Sequence, residues 1–237
     1  MYFDETYILV LIGAILTLMA SAKVKGAFNK YSKIRSFRGM TGAQTAEKIL
    51  RENGLFDVYV KPVGGSLSDH YNPKDKTVNL SETVYGQTSI AAIAVAAHEC
   101  GHAIQHHEGY APLNFRSALV PFANIGSKLG IPIIILSLAL GLRIPLGSGE
   151  YFYLADIGVW VFALAVLFQF VTLPVEFNAS SRALRILGQG GILEGDELKG
   201  ARKMLSAAAL TYVAAAASSV LQLLRFILLS NSRKGRR

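Results

Sequence analysis

Four apolar stretches, each near the length of a bilayer-spanning helix, make this 237-residue chain a mainly α-helical integral membrane protein. A polar interval between the first and second stretches, rich in turn formers and short β-prone runs, adds a small α+β unit. The third observation is His98-Glu99-Cys100-Gly101-His102, set in an alanine-rich run that reads as one buried helix.

The first stretch, residues 7–22, makes residues 1–22 an N-terminal membrane anchor. Ala20-Ser21-Ala22 also matches a signal-peptide cleavage site, but Asp4-Glu5 stands where such a peptide carries basic residues, so an uncleaved anchor is preferred. Residues 23–40 hold Lys23, Lys25, Lys30, Lys33, Arg35 and Arg38 and read as a basic juxtamembrane linker.

Residues 41–117 form the α+β unit. Thr41 caps a helix through Ala46, Ile49 and Leu50 that stops at Gly54. Val58-Tyr59-Val60 is a short strand ended by Pro62, and Gly64-Gly65 is a turn. Asn72-Pro73-Lys74-Asp75-Lys76 turns a short β-hairpin whose return strand covers residues 77–80. A helical turn at residues 81–85 leads into the histidine helix.

Residues 118–173 predict a transmembrane hairpin. Its first arm, 118–142, is interrupted by Lys128, Gly130 and Pro132; its second, 153–173, is the cleanest apolar run, and a short loop at 143–150 joins them. Residues 174–206 form a further helix, and 207–237 a C-terminal hydrophobic helix, interrupted by Arg225, with a basic tail.

Lysine and arginine follow the first apolar stretch and none precedes it. The positive-inside tendency therefore predicts a multi-pass cell-membrane protein with residues 41–117 on the cytoplasmic side. The loop 143–150 then lies outside, and Arg182, Arg185, Lys199, Arg202 and Lys203 return inside. Arg233, Lys234, Arg236 and Arg237 break the pattern unless the last helix stops short of crossing. The net charge of +8 comes from these membrane-flanking residues and points to lipid headgroups as partners. No nucleic-acid-binding motif accompanies it. The single cysteine, Cys100, excludes an internal disulfide and reads as a small packing residue.

Residues four apart share one face of a helix, so His98 and His102 can bind one zinc ion, with Glu99 beside them to act as a base. A catalytic zinc site takes a third protein ligand. His106 lies a further turn along, roughly 6 Å from His102 and about 12 Å from His98, too far for all three to meet. Gln105 and Glu108 stand where the metzincin pattern needs glycine and histidine, which excludes that class. His106 and His107 read as solvated or outer residues. Glu150 falls across the membrane, while Glu194 and Glu197 sit in a glycine-punctuated acidic turn. Glu176, just beyond Pro174 where the third apolar stretch ends, is the strongest candidate; it equally suits a helix N-terminus, where the dipole favours a carboxylate.

Glu176-Phe177-Asn178-Ala179 resembles the E-F-x-A element of membrane zinc metallopeptidases of the HtpX and CAAX-prenyl endopeptidase type. The chain is also similar, over nearly its whole length, to the YugP-type family of neutral membrane zinc metallopeptidases. Asp69-His70-Tyr71, Leu80-Ser81-Glu82, Ala96-Ala97-His98-Glu99 and the run from Leu173 to Ser180 carry that likeness. The resemblance implies a zincin-like α+β unit, Zn2+ as cofactor, His98, His102 and Glu176 as ligands, and Glu99 as catalytic base. HtpX-like enzymes have an aspartate four residues after the ligand glutamate to orient a zinc histidine. Here that residue is Ser180, which leaves Asn178, Ser180 or Arg182 as the outer partner.

The implied reaction is hydrolysis of peptide bonds in membrane or membrane-proximal proteins by metal-activated water. His70, Tyr71, Tyr110 and Arg182 are candidate oxyanion donors, and an exposed strand edge at residues 77–80 is expected to hold a protein or peptide substrate extended. A zinc-binding, non-hydrolytic scaffold or chaperone-like module is the alternative. Glu99 argues against it, because a structural zinc site closes with a fourth ligand and needs no base. A transporter with a midplane ion site fails: apart from Asp156 near one end, the long apolar helices lack carboxylates. The sequence leaves oligomeric partners open.

Overall fold

The computed structural model describes residues 4–147 and 150–234; the first three residues of the anchor, Ser148 and Gly149 of the expected loop, and the tail beyond 234 lie outside them. In chain order the elements are α1 (Tyr7–Tyr31), α2 (Gly42–Glu52), β1 (Tyr59–Val63), β2 (His70–Asn72), β3 (Thr77–Ser81), α3 (Ile90–His107), α4 (Ala111–Leu140), β4 (Arg143–Gly147), β5 (Glu150–Tyr153), α5 (Leu154–Gln189) and α6 (Gly195–Lys234). The protein is mainly α-helical, and α1, α4, α5 and α6 are each long and apolar enough to cross a membrane.

The chain divides into two compact units. One holds residues up to Met19, Phe115–Thr172 and those from Tyr212 onward. Small residues set its helix contacts. A Cβ on Gly126 would stand 2.6 Å from the Val161 carbonyl oxygen, and one on Gly130 2.9 Å from the Phe162 nitrogen, so α4 and α5 touch backbone to backbone. The α4 helix runs unbroken past Lys128, Gly130 and Pro132, the residues that interrupt its apolar run. Beside the α4–α5 contact Ile134, Phe162, Val166 and Phe226 form an apolar cluster. Arg225 is accommodated by the Tyr7 ring, 4.1 Å from its guanidinium carbon, and by Asp4 at 4.0 Å. The expected loop 143–150 is instead a β-hairpin: Ile144 pairs with Phe152, and Arg143 lies 4.2 Å over the Tyr151 ring, cross-strand contacts that hold so short a ribbon.

The other unit holds Ala20–Asn114 and Leu173–Thr211. At its centre is α3, capped by Ser89, with Ile90 through Ala97 inside the core. The α2 helix begins in a capping box, with Thr41 and Gln44 bonding each other's backbone N–H, and packs its Ala46, Ile49 and Leu50 into the same core. A three-stranded sheet of order β1-β3-β2 covers it, β1 parallel and β2 antiparallel to β3, with Val78 and Leu80 buried.

Three expectations for this unit change. β1 continues past Pro62 to Val63, tolerable because β1 is an edge strand. β3 has neighbours on both sides, so residues 77–80 offer no free edge for substrate; the outer edges belong to β1 and β2. The basic linker is helical as far as Tyr31, running past Gly26 and Asn29, with Phe28 and Tyr31 buried in the core of this unit.

A fourth change concerns Glu176. No new helix starts at Pro174, because α5 runs without a break from Leu154 to Gln189. Proline there removes one backbone hydrogen bond, and the helix continues with Val175 and Ala179 fully buried. Glu176 is therefore a mid-helix residue, and the helix-dipole explanation for its placement falls away. Likewise the segment 174–206 is not one helix: α5 ends at Gln189, and α6 starts at Gly195 and runs on through the last apolar stretch.

Candidate metal centre

Two helices supply this site, and a glycine lets them meet. A Cβ on Gly101 of α3 would lie 2.7 Å from the carbonyl oxygen of Ala179 on α5. His98 and His102 flank Gly101 on one helix; Glu176 and Ser180 flank Ala179 on the other. The Nε2 atoms of His98 and His102 stand 3.3 and 3.4 Å from the same Glu176 oxygen, Oε2. The two rings are edge-to-face with centroids 4.8 Å apart. All three side chains are largely buried, the carboxylate almost wholly.

Electrostatics bind the three together. Burial pushes the His102 imidazole down, but hydrogen bonding to Glu176 and the nearby negative charge carry it above the ordinary histidine range. Burial likewise pushes the Glu176 carboxyl up, and the two imidazoles more than reverse this, holding it well below the ordinary carboxylate range. The pocket thus favours a negative oxygen facing two nitrogens.

Glu99 is buried beside them, and its Oε2 accepts a 3.0 Å bond from the backbone N–H of Tyr71 in β2. That N–H points out from the sheet edge because Tyr71 pairs with Val78 in the antiparallel ladder without using it there. The Tyr71 hydroxyl lies 2.9 Å from His106 Nδ1. His98 Nδ1 is 3.1 Å from the Ser180 hydroxyl. Of the three candidates for an outer partner, Ser180 is the one whose side chain reaches His98 directly, while Asn178 reaches His102 through Gln105.

Arg182 is committed elsewhere. Its Nε donates to Asn178 Oδ1 at 2.7 Å and its Nη2 pairs with Glu108 at 2.7 Å, with the Tyr110 ring 5.9 Å away. His70 is exposed, its Nδ1 2.8 Å from the Ser68 carbonyl oxygen. Glu194 approaches Arg38 at 3.8 Å and Glu197 accepts from the Phe37 N–H. Among the described residues, neither glutamate joins the metal-competent group. Cys100 is fully buried, its thiol pushed up by burial and directed at the Ala46 carbonyl oxygen.

One residue was missed. Gln105 is fully buried and lies 2.9 Å from His102 Nδ1 through its Oε1. The available signal was a long polar side chain three residues after a histidine inside an apolar helix, which needs partners to be buried at all.

A family model described as "Putative neutral zinc metallopeptidase" matches residues 6–231. The chain belongs to that family. A Bacillus subtilis (strain 168) relative, named "Putative membrane protease YugP", is 49% identical over 214 residues, covering 90% of this chain and 91% of the relative. No solved structure matches the chain. The family's metal is zinc, and the donor set fits it. Zinc takes imidazole nitrogen and carboxylate oxygen at about 2.0–2.2 Å, so donors around a tetrahedral ion stand about 3.4 Å apart. The two nitrogen-to-oxygen separations measured here agree with that spacing, and the three donor atoms all fall within 4.8 Å of one another.

Proposed function

We propose that the protein is a membrane zinc endopeptidase in which His98, His102 and Glu176 hold the ion and Glu99 is the general base. The observation that carries this reading is the meeting of the two Nε2 atoms at one Glu176 oxygen, with Glu99 held alongside by Tyr71. Zinc, when bound, supplies Lewis acidity and a water that loses its proton near neutral pH.

The chain's own residues do the rest. Tyr71 N–H fixes one oxygen of Glu99 and leaves the other to take a proton from the attacking water and pass it to the departing amine. Burial raises the Tyr71 phenol, which stays protonated. Tyr71 is the candidate oxyanion donor this reading favours, because its backbone N–H already binds Glu99, although its hydroxyl must exchange its contact with His106 for the substrate. The substrates this reading favours are membrane or membrane-proximal proteins, and the basic residues that follow the first apolar stretch favour a site on the cytoplasmic side.

Purified protein in detergent should contain one zinc per chain and cleave an unfolded reporter protein. Chelation should stop cleavage and added zinc should restore it. Both Glu176→Gln and His98→Ala should leave almost no bound metal by mass spectrometry. Metal content equal to wild type in both variants refutes the ligand set.

Orientation has its own test. Because Cys100 is buried with a raised thiol, it provides a quiet background for labelling at an introduced exposed cysteine. Lys74→Cys, in the exposed turn between β2 and β3, should resist a membrane-impermeant thiol reagent in intact cells and react after lysis. Full labelling of intact cells reverses the proposed topology.

A further inference from the structure

Building on the zinc site proposed above, we infer that Gln105 is a positioning residue. It fixes which nitrogen of His102 faces the metal and fastens that histidine to the helix carrying Glu176.

The argument runs through hydrogen-bond directions. Gln105 Nε2 lies 2.8 Å from the backbone carbonyl oxygen of Val175, the residue before Glu176. A carbonyl oxygen only accepts, so the amide nitrogen must face it. The same nitrogen lies 2.9 Å from Asn178 Oδ1, which also takes the 2.7 Å bond from Arg182 Nε. A guanidinium only donates, so Asn178 turns its oxygen towards both groups.

These two fixed ends set the Gln105 amide, whose oxygen is left 2.9 Å from His102 Nδ1. His102 must then carry its hydrogen on Nδ1, which directs the Nε2 lone pair to the place where Glu176 also points. His98 has no such device. Its partner is the Ser180 hydroxyl, which donates or accepts with equal ease, so that contact leaves the tautomer open. Gln105 therefore performs two tasks with one amide: it selects the state of one ligand and holds the backbone next to another on a second helix.

The test compares zinc affinity in the full-length protein in detergent, by competition with a chelating dye, for wild type, Gln105→Leu, Ser180→Ala and His98→Ala. Gln105→Leu should bind zinc roughly 10- to 100-fold more weakly, the range typical for losing an outer hydrogen-bond partner. Ser180→Ala should lose less. Cobalt loaded in place of zinc should show an altered visible spectrum in Gln105→Leu, a change that a merely structural role does not produce. Wild-type affinity and an unchanged cobalt spectrum in the folded variant overturn the inference. Where Gln105→Leu fails to fold, Gln105→Met takes its place, since its unbranched chain fills the same slot without the amide. The His98→Ala arm separates the two readings: if it binds zinc as wild type does, the zinc site itself is wrong, whatever Gln105 does.

Discussion

Glu99→Gln should lower peptide-bond cleavage by at least about 100-fold while zinc content and thermal stability stay close to wild type. The substitution keeps the side chain's shape and an oxygen for the Tyr71 N–H, so the contact that positions residue 99 survives. It removes only the ability to take up a proton. His98, His102 and Glu176 are untouched, and metal binding should not change. Cleavage of a reporter by the zinc-loaded variant at the wild-type rate removes Glu99 from the mechanism. A fall in activity accompanied by loss of zinc would instead assign Glu99 to metal binding.

Gly101→Val should abolish zinc binding although every proposed ligand is still present. The added carbon atoms start 2.7 Å from a backbone oxygen of α5, and backbone cannot swing aside as a flexible side chain does. Either α3 and α5 separate or the fold loosens; overpacking of this kind costs about 1–3 kcal/mol, and here it acts midway between the ligands. Gly101→Ala should show the same loss in milder form. Zinc titration and thermal unfolding of both variants provide the check. Wild-type values for Gly101→Val contradict the close crossing of the two helices.

Local features were legible from sequence, and features made by distant residues were not. The spacing of His98 and His102 follows from helix geometry alone, and Thr41 with Gln44 announces its own cap. Asn72 to Lys76 declares a turn through the Asn72 side chain, which accepts from the Lys74 N–H and donates to Asp75. Glu176 was legible as a candidate, but its mid-helix setting was not, because Pro174 reads as a boundary and only tertiary packing carries a helix through it. The parallel pairing of β1 with β3 joins strands separated by β2 and left no trace in spacing. Gln105 escaped for the same reason: two of its partners, Val175 and Asn178, lie 70 and 73 residues further along the chain, on α5.

On the proposed ligand set, the long separation between its two halves governs when the metal site can first form. His98 and its neighbour Ser180 are 82 residues apart in the chain, with α4 and the β4–β5 ribbon between them. A growing polypeptide exposes both histidines while the carboxylate has yet to be translated, so the nascent chain holds only two-thirds of a metal cage. On that ligand set, the metal cage can close only once most of the chain has been made.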